Sequence, residues 1–410
     1  MNLFIDRKIY PFNNCLEDIS MANGQDQKLT NSIQILNELR TGPKSRSSLS
    51  RKLNIQPSTV TYSINRLMEL NFVSDSKLIS PDSRSRGRKS TQLILNNKAG
   101  VVFGVDLLVD RFIINICYID RSEYLVIKED FDDVIITAKR GSDERFLQCI
   151  NYVLSLIETK CANTKLYGGC ISVAAIIGED ERTIIKSLTH GISNLDVGDC
   201  LFKRDYAIFI ENDANCAAYR YIKYKNDSFV YSLARLYDAD SICEDAPQLG
   251  VGIGIIAHGK INKGWNSKSG EFSNFMYQEG KQNRQLECSN EQLQNMVEDP
   301  SKLHSFLDNY LDKLLFTNAL LNPRTIYLGG DNRIWKDTMI EILMKDFHKA
   351  SRDDVEKNMC FTFLSESELD IAIGASYYML DFLFELPQTN QSMLSNHRFE
   401  SPLFKEILKK

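Results

Sequence analysis

Two stretches of the chain carry side chains suited to gripping a hydroxyl-rich ligand. The first, FIENDANCAAYR (209–220), ends an apolar run at Ile210 and presents Glu211-Asn212-Asp213 where a helix begins. Ligands of open α/β sheets gather beyond the carboxyl ends of strands. A carboxylate accepts hydrogen bonds from hydroxyls, and an amide both accepts and donates, so Asn212 and Asp213 suit a polyol. Helix capping by either residue accounts for the same residue types at the same place. The second stretch, GVGIGIIAHGKINKGWNSKSGEFSNF from Gly250, places Gly250, Gly252 and Gly254 in alternation through a strand and Glu271 in a loop after Gly270. Glycines weaken a strand unless another group closely approaches its backbone.

Two further stretches point to phosphate chemistry, or to its loss. YLGGDN (327–332) runs a strand into a glycine pair before a helix, a weak sign of a nucleotide cradle. VVFGVDLLVDRF (101–112) has the outline of a β-hairpin whose turn could face a phosphate, but Leu107-Leu108-Val109-Asp110 contains no glycine. Side chains keep such a turn from approaching phosphate oxygens closely, and Asp110 adds like-charge repulsion.

The elements that must position these residues begin at about residue 100. Strand patterns over 101–107, 112–119, 124–129, 166–174, 207–210, 229–236, 250–257, 325–328 and 360–363 alternate with helical patterns. The helices fall over 144–159, 213–225, 291–297, 302–322, 335–349 and 370–384. Such alternation predicts α/β layers around a largely parallel sheet, fed by an antiparallel meander over 101–129.

A different module precedes that body. Residues 28–98 hold 13 basic and 4 acidic side chains, a net +9, whereas 99–410 sum to −12. The asymmetry assigns a polyanionic partner to the first module only. Ile33, Leu36 and Leu39 recur at helical spacing; KSRSSLSRKL makes a short second helix; Pro57 opens a third, whose apolar face is Val60, Ile64, Leu67 and Leu70. Three short helices of this kind outline a helix-turn-helix, with the third entering the DNA major groove. Ser58, Thr59, Thr61, Tyr62, Asn65 and Arg66 would face the double-stranded operator; a solvated helical bundle shows the same spacing. Strand patterns at 72–73 and 93–95 enclose Arg84, Arg86, Arg88 and Lys89 around Gly87, the composition of a wing that enters a narrow minor groove.

With 410 residues, 43% hydrophobic and 25% charged, the chain has the composition of a globular protein of two or three domains. No apolar run is long enough to span a membrane, and the N-terminus lacks a secretory pattern. Ten dispersed cysteines without a Cys-x-x-Cys pair read as reduced, apolar side chains of a cytoplasmic protein.

Together these motifs resemble the ROK family of bacterial sugar-responsive repressors and sugar kinases, over about residues 28–385. GRKSTQLILN is similar to the end of the family's wing, ENDANCAA to its central motif, GVGIGIIAHGKINKGWNSKSGEF to its glycine-rich segment, and NPRTIYLGG to a late strand of its nucleotide lobe. The resemblance implies an N-terminal winged helix-turn-helix (28–97) before a two-lobed, actin-like sugar-kinase (ribonuclease H-like) α/β fold. The lobes are expected over 100–211 and 212–385, with extensions at 1–27 and 386–410. Xylose-, glucose- and N-acetylglucosamine-responsive repressors are the expected relatives.

The departures bear on function. Kinases of the family carry Asp-x-Gly-Gly-Thr where this chain has Asp106-Leu107-Leu108-Val109-Asp110, and a Pro-Gly is replaced around Ser172-Val173-Ala174-Ala175. Ser273-Asn274 stands where Gly-His is usual, and the following segment holds only Cys288, so no zinc is expected. Asp213 matches the kinase general base. The expectation is therefore a non-enzymatic regulator without cofactor, with a sugar or sugar phosphate held by Asn212, Asp213 and Glu271, and Asn194 and Asn274 as further candidates. A homodimer or homotetramer is implied. An active ATP-dependent sugar kinase and an interaction scaffold without a sugar ligand are the alternatives.

Overall fold

The computed structural model describes residues 24–76, 91–223, 226–243, 246–271, 299–346, 361–386 and 401–408, with a few positions between 291 and 296. The wing residues Arg84, Arg86, Arg88 and Lys89, the candidate Asn274 and the segment around Cys288 lie outside the described residues.

The N-terminal module comprises α1 (Gly24–Arg40), β1 (Lys44–Ser45), α2 (Arg46–Leu53), α3 (Pro57–Glu69), β2 (Val73–Asp75) and β3 (Gln92–Leu95). The Ser45 hydroxyl caps α2 by accepting from Ser48 N at 3.2 Å, and Pro57 occupies the first turn of α3, where no amide is needed. Ile33, Leu36, Leu49, Val60, Ile64 and Leu67 are fully buried together. The two-residue β1 pairs with β3 and completes a three-stranded sheet; a pair of residues carries no periodic signal for sequence reading to find.

The first lobe runs β4 (Val101–Leu107), β5 (Arg111–Tyr118), β6 (Glu123–Asp130), α4 (Asp143–Lys160) and β7 (Leu166–Val173). It continues through β8 (Ile176–Ile177), β9 (Thr183–Ser187), β10 (Ile192–Asp196), α5 (Gly198–Leu201), β11 (Ala207–Asn212) and α6 (Asp213–Tyr219). Its sheet has the order β11-β7-β4-β5-β6. The second lobe runs β12 (Phe229–Leu236), β13 (Leu249–Ala257), β14 (Lys260–Ile261), α7 (Pro300–Leu321), β15 (Ile326–Gly330), α8 (Lys336–Asp346) and β16 (Phe361–Phe363), with the sheet order β14-β13-β12-β15-β16.

The two orders are the same once each lobe is counted from its first strand. In both, the first three strands form an antiparallel meander, and two later strands add in parallel on the free side of the first. Each sheet is thus half antiparallel, where the sequence suggested a largely parallel one. Two helices of differing origin then fill the space between the sheets.

Helix α9 (Asp370–Leu383) follows the second sheet in sequence but packs on β4 and β7 of the first, alongside α6. Its Met379 and Leu380 meet Val102, Cys117 and Cys170, while the other face of the first sheet buries Phe146, Ile150, Val153 and Ile157 of α4. The far face of the second sheet is covered by α7 and α8 through Leu307, Tyr310, Leu311 and Ile340. The layers therefore run α4, first sheet, α6 with α9, second sheet, α7 with α8. The tail helix α10 (Pro402–Leu408) buries Leu403 and Ile407 in the cluster shared by α1 and α9. Sequence reading missed β8–β10, a separate three-stranded sheet, because two- to five-residue strands with mixed polarity lack a clean alternation.

Candidate functional site

Strand β11 delivers Glu211, Asn212 and Asp213 to the mouth of the cleft between the lobes, and each does something different there. Glu211 is 2% exposed. Its Oε1 accepts from Asn212 N at 2.9 Å and Asn215 Nδ2 at 3.0 Å, and its Oε2 lies 2.6 Å from Lys263 Nζ. Lys263 also pairs with Glu181 at 2.6 Å, and Tyr378 OH donates to Glu181 at 2.6 Å. Burial opposes the Lys263 charge, but the two carboxylates outweigh it and raise the ammonium pKa. This network braces the strand–helix corner.

Asn212 caps α6. Its Oδ1 accepts from Asn215 N at 3.1 Å, and its Nδ2 donates to Ala175 O at 3.0 Å. Both ends of the amide are engaged, so the capping alternative describes this residue. Asp213 is different. Its Oδ1 accepts from Ala214 N at 2.9 Å, while its Oδ2 lies 3.9 Å from Arg235 Nη1. Burial raises the Asp213 carboxyl to about 6; Arg235 opposes that rise and Asp106 adds to it.

Arg235, near the end of β12, is a residue that sequence reading did not single out. Its guanidinium donates to the buried Asp106 of β4 and thereby ties the second lobe to the first. Burial opposes its charge, but Asp106 and its neighbours raise its pKa further. The signal that could have found it is an arginine next to last in a largely apolar run, FVYSLARL, at the carboxyl end of a strand. Glu271 approaches the same place through an isolated backbone bridge to Gly252. The residue is exposed at the surface, but partial withdrawal of its carboxyl from water and then the Asp213 charge raise it to about 7. Asn194 sits exposed on β10 with φ of 55°.

The strand glycines answer to packing. A Cβ on Gly252 would lie 2.9 Å from Ala214 Cβ, and one on Gly254 only 2.4 Å from Ala214 O, so helix α6 is what approaches the β13 backbone. In the glycine pair, a Cβ on Gly329 would meet Tyr231 OH at 1.8 Å. Beyond these strands lies a cavity of about 450 Å³ lined by residues of both lobes, including Asp106, Leu108, Arg111, Arg235, Gly330 and Asp331.

On the N-terminal module, Ser58, Thr61, Tyr62 and Asn65 are exposed along α3, with Tyr62 58% accessible, and Thr59 is half-buried. Arg66 departs from the sequence expectation: it is half-buried, and its guanidinium donates to Ile407 O of α10. It lies in the last turn of α3, on the side where the tail helix packs. Further bonds join the module to the body. Asn37 Nδ2 donates to Phe384 O at 2.8 Å, and Arg40 pairs with Asp381 at 2.6 Å and stacks over Phe384.

Comparison with known proteins agrees with this architecture. Residues 31–75 match the bacterial regulatory proteins of the arsR family. The xylose repressor of Bacillus subtilis is 25% identical over 246 residues, covering 60% of this chain and 59% of that protein. The xylose repressor of Staphylococcus xylosus is 25% identical over 228 residues, 55% of each. The chain thus aligns with less than two thirds of the length of these relatives. A crystal structure of a ROK family transcriptional regulator, a homologue of E. coli Mlc, superposes with a TM-score of 0.65 at 15% identity, over 87% of this chain and 97% of the other. The chain shares the fold of that protein. A ROK family glucokinase from Streptomyces griseus, solved with glucose and AMPPNP, matches 68% of this chain and 98% of its own at a TM-score of 0.50 and 13% identity. The helix-turn-helix and two-lobed kinase-type fold expected from sequence are those observed. Among the described residues, no helix is long and apolar enough to cross a membrane.

Proposed function

We propose that the protein is a sugar-responsive transcriptional regulator, most simply a repressor, working in the cytoplasm as a homo-oligomer on double-stranded DNA. Ser58, Thr59, Thr61, Tyr62 and Asn65 would read the operator, helped by the arginines of 84–89. Asp213 and Glu271 would accept hydrogen bonds from effector hydroxyls, with Asn212 fixing the corner and Asn194 and Asn274 as outer candidates. The observation that carries this reading is the Asp106–Arg235–Asp213 cluster. In the turn after Asp106, Leu108 N donates to Arg111 O at 3.0 Å, and Asp110 accepts from Ser241 Oγ at 2.8 Å. The backbone and charge that a phosphate would need there are engaged within the protein, which supports sensing over phosphoryl transfer.

A route from ligand to DNA follows from the same helices. Asp213 opens α6, and Tyr219 closes it by donating to Asp381 Oδ2 at 2.7 Å. Asp381 in turn pairs with Arg40 of α1. A ligand that binds the open and closed lobes unequally would shift α6 and α9 and so bias the DNA-binding module.

The test combines D-xylose, D-glucose and N-acetylglucosamine with genomic DNA pull-down and thermal unfolding. A ligand at 100 times its Kd should add about 2.7 kcal/mol of stability and change the DNA fragments retained. Silence in both measurements across the panel overturns the reading. The kinase alternative keeps one point in its favour, a buried Asp213 with pKa about 6 at the base position. Sustained transfer of phosphate from ATP to any of these sugars would establish it.

A further inference from the structure

The first hairpin of each lobe occupies the same place in its sheet, but the connections differ in length. Strands β4 and β5 are joined by three residues, 108–110, whereas β12 and β13, paired to Leu236↔Leu249, are joined by twelve, 237–248. A hairpin closes with two to five residues, so the longer connection needs another reason. Its described part docks on the first lobe at the short turn. Ile242 and Ala246 are buried with Val109, the side chain standing where a phosphate-binding turn would have none. Ser241 Oγ donates to Asp110 Oδ2 at 2.8 Å, and Cys243 N donates to Thr189 O at 3.3 Å. The Cys243 thiol fills a notch between two left-handed glycines of the first lobe: a Cβ on Gly191 would lie 2.7 Å from its Sγ, and one on Gly141 3.0 Å. Tyr237, where the connection begins, lines the 450 Å³ cavity beside Arg235.

We propose that the described part of the β12–β13 connection, 237–243 and 246–248, is an internal strap that grips the Leu107–Asp110 turn, ties the two lobes together there, and keeps the phosphates of a nucleoside triphosphate off the turn. The exclusion rests on the sensor reading above; the docking does not. The strap also accounts for the composition of the turn. Val109 replaces a small residue because it supplies apolar surface to a protein partner, and Asp110 faces a hydroxyl in place of a phosphate.

The test is hydrogen exchange on the full chain without sugar or DNA. Amides of 106–112 and 237–243 should be protected together. Ile242→Ser should accelerate both segments by roughly tenfold or more, as expected when one cooperative unit is opened. Val109→Gly should do so reciprocally. Ser241→Ala, which removes only one hydrogen bond, should accelerate both by roughly fivefold and serves if the core variants fail to fold. Acceleration confined to 237–243, with 106–112 unchanged, overturns the docking. In the wild type, magnesium with AMPPNP at millimolar concentration should leave 106–112 unaltered; added protection there overturns the exclusion. A chain that binds no sugar would leave every exchange result in place, so the failure of the sensor reading is separable from the failure of the strap.

Discussion

The two lobes repeat one sheet order, yet the ends of their first strands carry opposite charges. The penultimate residue of β4 is Asp106, and that of β12 is Arg235; the two meet across the cleft. The short turn of the first lobe is covered, and the long connection of the second does the covering. A duplicated scaffold sets two strand ends facing each other by symmetry. What stands on those ends then decides whether the gap is held by a ligand or by the protein itself. In this chain an arginine fills the space between Asp106 and Asp213, where a phosphate and its cation would need charge of their own.

The comparison breaks most severely at Arg235. Arg235→Ala leaves Asp106, 2% exposed, and Asp213, 6% exposed, without their common cation. Removing one partner of a buried ion pair costs about 3–5 kcal/mol, because the remaining charge is buried uncompensated. Urea unfolding at neutral pH should show a loss of that size, shrinking as pH falls through about 6 and Asp213 takes up its proton. A loss under about 0.5 kcal/mol, the scale of an ordinary surface change, would mean that the clasp does not hold the lobes.

The second effect is the pH dependence of Asp213. The Asp213 pKa is raised from 3.8 to about 6, so the folded chain binds the proton more tightly than the unfolded one. Stability from this group is fully present below the unfolded value and is lost as pH rises through about 6. A tenfold difference in proton affinity between the folded and unfolded chains is worth about 1.36 kcal/mol, so the loss between pH 4 and 7 is at most roughly 3 kcal/mol. His190 contributes with the opposite sign, since burial holds its pKa down at about 4. The difference between wild type and Asp213→Asn isolates the carboxyl: the variant should gain relative stability as pH rises. A difference independent of pH would place the Asp213 carboxyl at its ordinary value.

Sequence reading reached far into this architecture, and its failures have a physical pattern. Strands such as Val101–Leu107 and Phe229–Leu236 are apolar on both faces because helices cover both sides, and their limits were legible to the residue. ENDANCAA was legible as the corner where a strand gives way to a helix, but the division of labour within it was not. Asn212 and Glu211 turn out to brace and cap, and that depends on Ala175, Lys263 and Glu181 arriving from elsewhere in the chain. Arg66 lay on a helix face read as outward because the tail helix that covers it is 341 residues away. The glycines of β13 were read as a close approach to the backbone; at Gly252 and Gly254 the approaching group is α6, and at Gly250 it is the Tyr237 ring. The missing glycines of the 107–110 turn were read as a lost phosphate cradle, whereas the structure adds a partner for Val109 and Asp110. In each case composition marked a close approach or a charge, and only long-range packing named the other party.

The smallest effect is the most specific to the difference between the two hairpins. Gly191 has φ of 66° and faces the Cys243 thiol; Gly42 has φ of 125°, and a Cβ there would meet nothing within 4 Å. Gly42→Ala therefore reports backbone strain alone, about 1 kcal/mol for a left-handed residue. Gly191→Ala adds a clash with Sγ at 2.7 Å to that strain, an excess of about 1–3 kcal/mol over the backbone cost. Cys243→Ala in the same chain removes the obstructing sulfur, so the double variant should recover the excess while leaving the backbone cost. Residues in contact give such coupling, and independent ones do not. Additive losses in the cycle would show that the thiol does not occupy the notch in solution, and the long connection would then be free of the first lobe at its tightest point of contact.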